Sequence, residues 1–110
     1  MTITTLKLEG RLDSAAATRA EPAFADQVEV VAEKKDKAII DLQDLVYISS
    51  VGLRMLVSTI KQFKKRGIAF ATVRPRDRAA NELLLTVDLA SHLNMVEDAE
   101  AAHAQVHQIW

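Results

Sequence analysis

The spacing of apolar residues changes period several times along this chain, and each change marks a new element. Between residues 50 and 66, Leu53, Leu56, Ile60 and Phe63 recur at intervals of three and four, so they share one helical face. Met55 and Val57 widen that stripe, while Arg54, Ser58, Lys61, Lys64 and Lys65 lie off it. Gly67 stops the helix after a basic last turn, which suits the negative end of the helix dipole. A second stripe, Ala16, Ala20, Phe24, Val28 and Val31, predicts a helix within residues 15–35. Pro22 interrupts it, so an irregular or capped start is expected over 18–21 and a firm helix over 23–34.

The extended segments read differently. Residues 2–9 alternate at Leu6, Lys7, Leu8 and Glu9 and predict a strand that ends at Gly10 and Asp13, with Leu12 still facing inward. Asp13 or Ser14 is placed to cap the helix that follows. Residues 38–42 and 68–73 are apolar on both faces, as in strands covered by helices on each side. A loop is expected from the first of these through Ser49. Asp77 is a fair cap for a helix over 78–87 with Ala80, Leu83, Leu84 and Val87 inward, and residues 93–96 suit one more short strand. A last helix is expected over 97–108, burying Ala99, Ala102, Val106 and Ile109. Strands alternating with helices argue for an α/β layer in one domain spanning residues 1–110.

Composition narrows the function classes. The chain has no cysteine, which excludes disulfides, thiolate metal sites and cysteine nucleophiles. A formal net charge of −1 supplies no global field toward nucleic acid. No apolar run reaches membrane-spanning length, and residues 1–5 lack the charged-then-apolar pattern of a signal peptide, so a cytoplasmic protein is the expectation.

Several groups could carry chemistry. His103 and His107 stand four apart on the last helix, but with Glu100 as the one nearby carboxylate they do not make a closed metal site. His92 has no neighbouring ligand. Asp13, Asp41 and Asp44 could share acid–base work if the fold gathered them, although aspartates at strand ends are more often turn and cap residues. Arg74, Arg76 and Arg78 cluster around Pro75 and could meet a phosphate or an acidic partner. No glycine-rich phosphate loop is present, and no cofactor or metal is expected.

Ser49 and Ser50 remain. At the start of the clearest helix the pair reads as an N-cap, worth about 1 kcal/mol, with Ser50 at the helix N-terminus. A serine there is also a good position for a phosphoryl group, because the free N–H groups and the positive end of the dipole stabilise added negative charge.

Two motifs then give the chain a likeness. Gly10-Arg11-Leu12-Asp13 matches a G-x-L-D turn after a strand. The stretch Asp41-Leu42-Gln43-Asp44-Leu45-Val46-Tyr47-Ile48-Ser49-Ser50-Val51-Gly52-Leu53 matches D-L-x-x-[VL]-x-[YF]-[IM]-[SD]-S-x-G-L. In these the chain resembles the anti-sigma factor antagonist family, whose domain (the STAS domain) is shared with the cytoplasmic ends of sulfate transporters. The resemblance implies a four- or five-stranded mixed sheet with helices mainly on one face. It implies a non-enzymatic partner switch: an unmodified antagonist binds an anti-sigma factor that is also a serine kinase, phosphorylation ends the interaction, and a serine phosphatase reverses it.

Aligned on Gly52, the phosphorylated position falls on Ser50, with Ser49 a second candidate because it stands where the best-known members carry an acid. Asp13, Asp44, Ser49, Val51 and Arg54 are the expected partner-binding residues. The alternative role is that of a constitutive subunit in a membrane transport complex, since stand-alone relatives bind the ATPase subunits of ABC-type lipid transporters. Many members have a strand before the G-x-L-D strand. There is little room for one here, which leaves an edge for another element or a second chain, as in a homodimer.

Overall fold

A computed structural model describes residues 3–34, 36–85 and 95–109. Its elements run β1 (Ile3–Lys7), β2 (Gly10–Leu12), α1 (Ser14–Lys34), β3 (Lys37–Asp41), β4 (Leu45–Ile48), α2 (Ser50–Lys65), β5 (Phe70–Val73), α3 (Arg78–Leu85), β6 (Met95–Val96) and α4 (Ala99–Ile109). The α/β class is as expected. Four strands form a sheet in the order β1-β3-β5-β6, and β2 pairs with β4. Every described pairing is parallel. On its other side β1 has no strand partner among the described residues.

The first strand is bent where a single one was expected. Gly10 has φ +71°, a conformation that side chains with a Cβ rarely adopt, and the register to β4 slips between Gly10 and Arg11. The chain also turns between β3 and β4. Asp41 accepts the Gln43 N–H at 2.9 Å, Leu42 accepts the Leu45 N–H, and the chain re-enters extended backbone as β4. Residues 45–48 therefore form a strand inside the stretch expected to be loop. Its pattern was too short and too broken by the turn to register as a period.

α1 also departs from expectation. It runs unbroken through Pro22, with no irregular start at 18–21. Proline removes the bond to the Thr18 carbonyl, but Thr18 and Pro22 are both exposed, so water can replace it. Phe24, Val28 and Val31, buried on the opposite side, hold the helix in place.

The sheet buries both faces, as the apolar strands predicted. Leu6, Ala38, Ile40 and Phe70 pack with Phe24, Val28, Leu56, Ile60, Phe63 and Leu84 from α1, α2 and α3. On the other face Ile39, Ala71 and Val73 meet Ala102 and Val106 of α4. Three helices thus share the larger core and one covers the reverse. Leu83, expected inward, is instead 38% exposed. Val87 and residues 93–94 of the expected last strand lie outside the described residues.

Candidate functional site

Two parallel strands end side by side and each leads straight into a helix. Leu12 is paired with Ile48, and the Leu12 carbonyl accepts the Ser49 N–H at 2.9 Å. Asp13 and Ser49 therefore leave the sheet together. Asp13 caps α1: its Oδ1 accepts the Ala16 N–H at 2.8 Å and its carbonyl accepts the Ala17 N–H. Ser49 caps α2: its Oγ accepts the Gly52 N–H at 3.2 Å and its carbonyl accepts the Leu53 N–H. Neither helix has an acidic residue in its first turn.

This corrects the reading of the serine pair. The cap is Ser49, extended at φ −84° and ψ 171° and only 7% exposed. Ser50 is the first helical residue and is exposed. Its hydroxyl has no capping duty.

Gly52 explains how close α2 comes to the strand ends. A Cβ there would lie 2.8 Å from Ile48 Cγ1 and 2.9 Å from Leu12 Cδ2, closer than carbon atoms pack. The glycine lets the first turn of α2 sit directly on the paired strand ends. That seat holds Ser49 under cover and leaves Ser50 outside.

Val51 is half-buried and Arg54 exposed; both also line a groove of about 530 Å³ between α1 and α2. Phe24, Val28 and Met55 contribute apolar walls, and Glu21, Asp26 and Glu29 line the α1 side. Arg66 forks onto Glu29 at 2.9 and 3.1 Å and ties the two helices together. Nothing in the apolar periodicity pointed to this groove, because it forms between helices from separate parts of the chain.

Of the expected partner-binding residues, Asp13, Ser49, Val51 and Arg54 gather at this end of β2 and β4. Asp44 does not. It precedes Leu45 at the opposite end of β4, so at about 3.3 Å per residue it stands a full strand length from Ser50. There it meets Lys7, Nζ to carboxylate 2.9 Å. The hydrogen bond from Lys7, then its charge, holds the Asp44 carboxyl below the usual range, and Arg76 adds to that. The same hydrogen bond and charge raise the Lys7 ammonium. Both groups are solvent-exposed, so water and salt screen the pair.

The other candidate groups have structural partners. Asp13 caps a helix, Asp41 closes a turn and Asp44 pairs with Lys7, and none of the three lines the groove. Arg74 pairs with Glu97 at 3.3 Å, Arg76 donates to the Gln43 side chain, and Arg78 pairs with Glu82 at 3.4 Å. Arg11 lies 4.7 Å over the Tyr47 ring, a cation–π contact across β2 and β4. His103 is exposed, and His92 and the His107 side chain lie outside the described residues. Among the described residues no cluster of metal-ligating side chains occurs, and no helix is long and apolar enough to cross a membrane.

Comparison with known proteins adds three findings. A family model described as the STAS domain matches residues 2–100. The fold is similar to part of the murine solute carrier 26 family member A9 anion transporter in its inward-facing state, with a TM-score of 0.73 and 10% identity over 98% of this chain. This chain spans 18% of that transporter's length. It is also similar to the phosphorylated form of the Bacillus cell fate determinant SpoIIAA, with a TM-score of 0.62 and 13% identity over 97% of this chain and 91% of that one. No curated protein matches the sequence.

Proposed function

The chain belongs to the STAS domain family, and from that premise we propose that it is an anti-sigma factor antagonist working by partner switching, with Ser50 as its switch. Unmodified, it binds an anti-sigma factor that is also a serine kinase and thereby frees a sigma factor. The Ser50 oxygen then takes the γ-phosphoryl group of ATP, ADP leaves, and the hydroxyl proton passes to a base on the kinase. The new charge ends the complex, and a serine phosphatase restores the hydroxyl.

One observation carries this reading: Ser50 is exposed and free of the capping bond, while its neighbour Ser49 is buried and committed to it. A phosphoryl group on Ser50 adds charge at the positive end of α2, whose own first turn carries no acidic side chain. The fold would tolerate the group, and a partner seated against Asp13, Val51 and Arg54 would not. Ser49 is the weaker acceptor of the two, since modifying it sacrifices the cap.

The likeness to an anion-transporter segment favours a second reading, in which the domain is a constitutive subunit of a membrane transport complex of the ABC lipid type and Ser50 is merely the first residue of a helix. One experiment addresses both. The protein is purified from its host, the co-eluting partner is identified, and that partner is incubated with ATP and the chain. Partner switching predicts a soluble kinase, one phosphate on Ser50 by mass spectrometry, and a weakened complex. Ser50→Asp should mimic the released state, and Ser50→Ala should bind without release. A membrane ATPase as the partner, or an active kinase that leaves both serines unmodified, overturns the proposal.

A further inference from the structure

The exposed residues Ser50, Arg54, Ser58 and Lys61, and then Lys65, follow one another along α2 at spacings of four, four, three and four. Those spacings place them on one line down the outside of the helix. α2 contains no acidic residue. Among the described residues, Arg54, Lys61 and Lys65 form no ion pair. Arg54 is also the one cation among the described residues that line the groove, and Glu21, Asp26 and Glu29 stand on the α1 side. Arg66 already occupies Glu29.

Ser50 and Arg54 are one turn apart, about 6 Å along the axis, and side chains on a helix lean toward its N-terminus. An arginine four residues further on therefore leans back over a group at Ser50. Its planar fork suits phosphate oxygens, and pairing costs it no ion pair among the described residues. Lys61 is about 16 Å down the helix and out of reach.

We propose that Arg54 pairs with the phosphoryl group carried by Ser50, and that the modification thereby neutralises Arg54 and makes the Ser50 end of the α1–α2 groove more negative. The inference rests on Ser50 being the modified residue and specifies what the modification does there. Phosphoserine brings a charge of about −1.5 to −2 near neutral pH. That outweighs the single positive charge of Arg54 and joins the carboxylates of Glu21 and Asp26 across the groove. An acidic group of a partner that meets Arg54 in the unmodified protein loses its counter-charge and faces repulsion instead.

The test installs phosphoserine at position 50 during translation of the full chain, so it does not depend on any kinase being found. The second ionisation of the phosphate is followed by ³¹P NMR. The charged groups that face it, Asp13 beside the site and Glu21, Asp26 and Glu29 on α1, are the same in every variant compared. Arg54 stabilises the dianion, so Arg54→Gln should raise the phosphate pKa by about 0.15–0.4 unit, the size expected of a helical pair one turn apart. Arg54→Lys should recover most of the shift, and Lys61→Gln should cause none. Coincident titrations for the parent and Arg54→Gln overturn the proposal. An equal shift from Lys61→Gln also overturns it, because the effect would then be one of general charge.

Discussion

Ser49→Ala and Ser50→Ala change adjacent, identical residues and should have very unequal consequences. Ser49→Ala removes the oxygen that accepts the Gly52 N–H at 3.2 Å in a buried setting. Losing an N-cap costs about 0.5–2 kcal/mol. Here the upper half of that range applies, because Gly52 is packed against Ile48 and Leu12 and water cannot readily replace the lost acceptor. For a chain of 110 residues the unfolding entropy near the melting temperature is about 0.23 kcal/mol per degree. A loss of about 1–2 kcal/mol thus lowers Tm by roughly 4–9 °C. Ser50→Ala removes an exposed hydroxyl that makes no hydrogen bond among the described residues and exchanges serine for a better helix former, so its stability should change by less than about 0.5 kcal/mol. Urea unfolding followed by circular dichroism, with calorimetry for Tm, measures both. Ser49→Asp should keep most of the cap, since aspartate serves as well as serine there. Equal losses from the two alanine variants, or a larger loss from Ser50→Ala, would refute the assignment of capping to Ser49 and the argument that Ser50 is free for modification.

Three further outcomes are expected. Gly52→Ala sets about 1–3 kcal/mol of overpacking against Ile48 Cγ1 and Leu12 Cδ2 against about 1 kcal/mol of helix propensity gained, for a net loss near 1 kcal/mol in urea unfolding; a stabilised variant would contradict the contact. The lowered carboxyl of Asp44 contributes stability that is present above its unfolded value, near 3.8, and is lost as pH falls through the folded one. The raised ammonium of Lys7 contributes below 10.5 and is lost as pH rises through its folded value. Asp44→Asn should flatten both limbs of the pH–stability profile, and high salt should shrink the difference between variant and parent. A double-mutant cycle on Glu29 and Arg66 should give a coupling of less than about 1 kcal/mol, because both side chains of this forked pair are partly exposed, at 54% and 38%.

Much of the fold was legible because helices and buried strands carry their own period. The stripe through Leu56, Ile60 and Phe63 marked α2, and the unbroken apolar runs at Ile39-Ile40 and Phe70-Ala71 marked strands covered on both faces. β4 was not legible. Its four residues follow an Asx turn and are held by pairing to β2, so the evidence for it lies in another segment. The unbroken α1 was missed for a related reason: the local penalty at Pro22 is overridden by buried contacts of Phe24 and Val28 made elsewhere.

The site divides in the same way. The sequence by itself determined that a serine pair and a glycine open an amphipathic helix, that this helix carries bases and no acids, and that the chain supplies no cysteine chemistry. Those are properties of residue type and spacing along one segment. Only the tertiary structure decided which serine is buried and which is free. That choice follows from the hydrogen bond between the Leu12 carbonyl and the Ser49 N–H, just past the end of β4 at Ile48 and one residue before Ser50, and from the close approach of Gly52 to Leu12 and Ile48. The tertiary structure also moved Asp44 away from the site and brought α1 alongside Arg54 to form the groove. Contacts between segments far apart in the chain made each of these decisions, and local spacing cannot encode them.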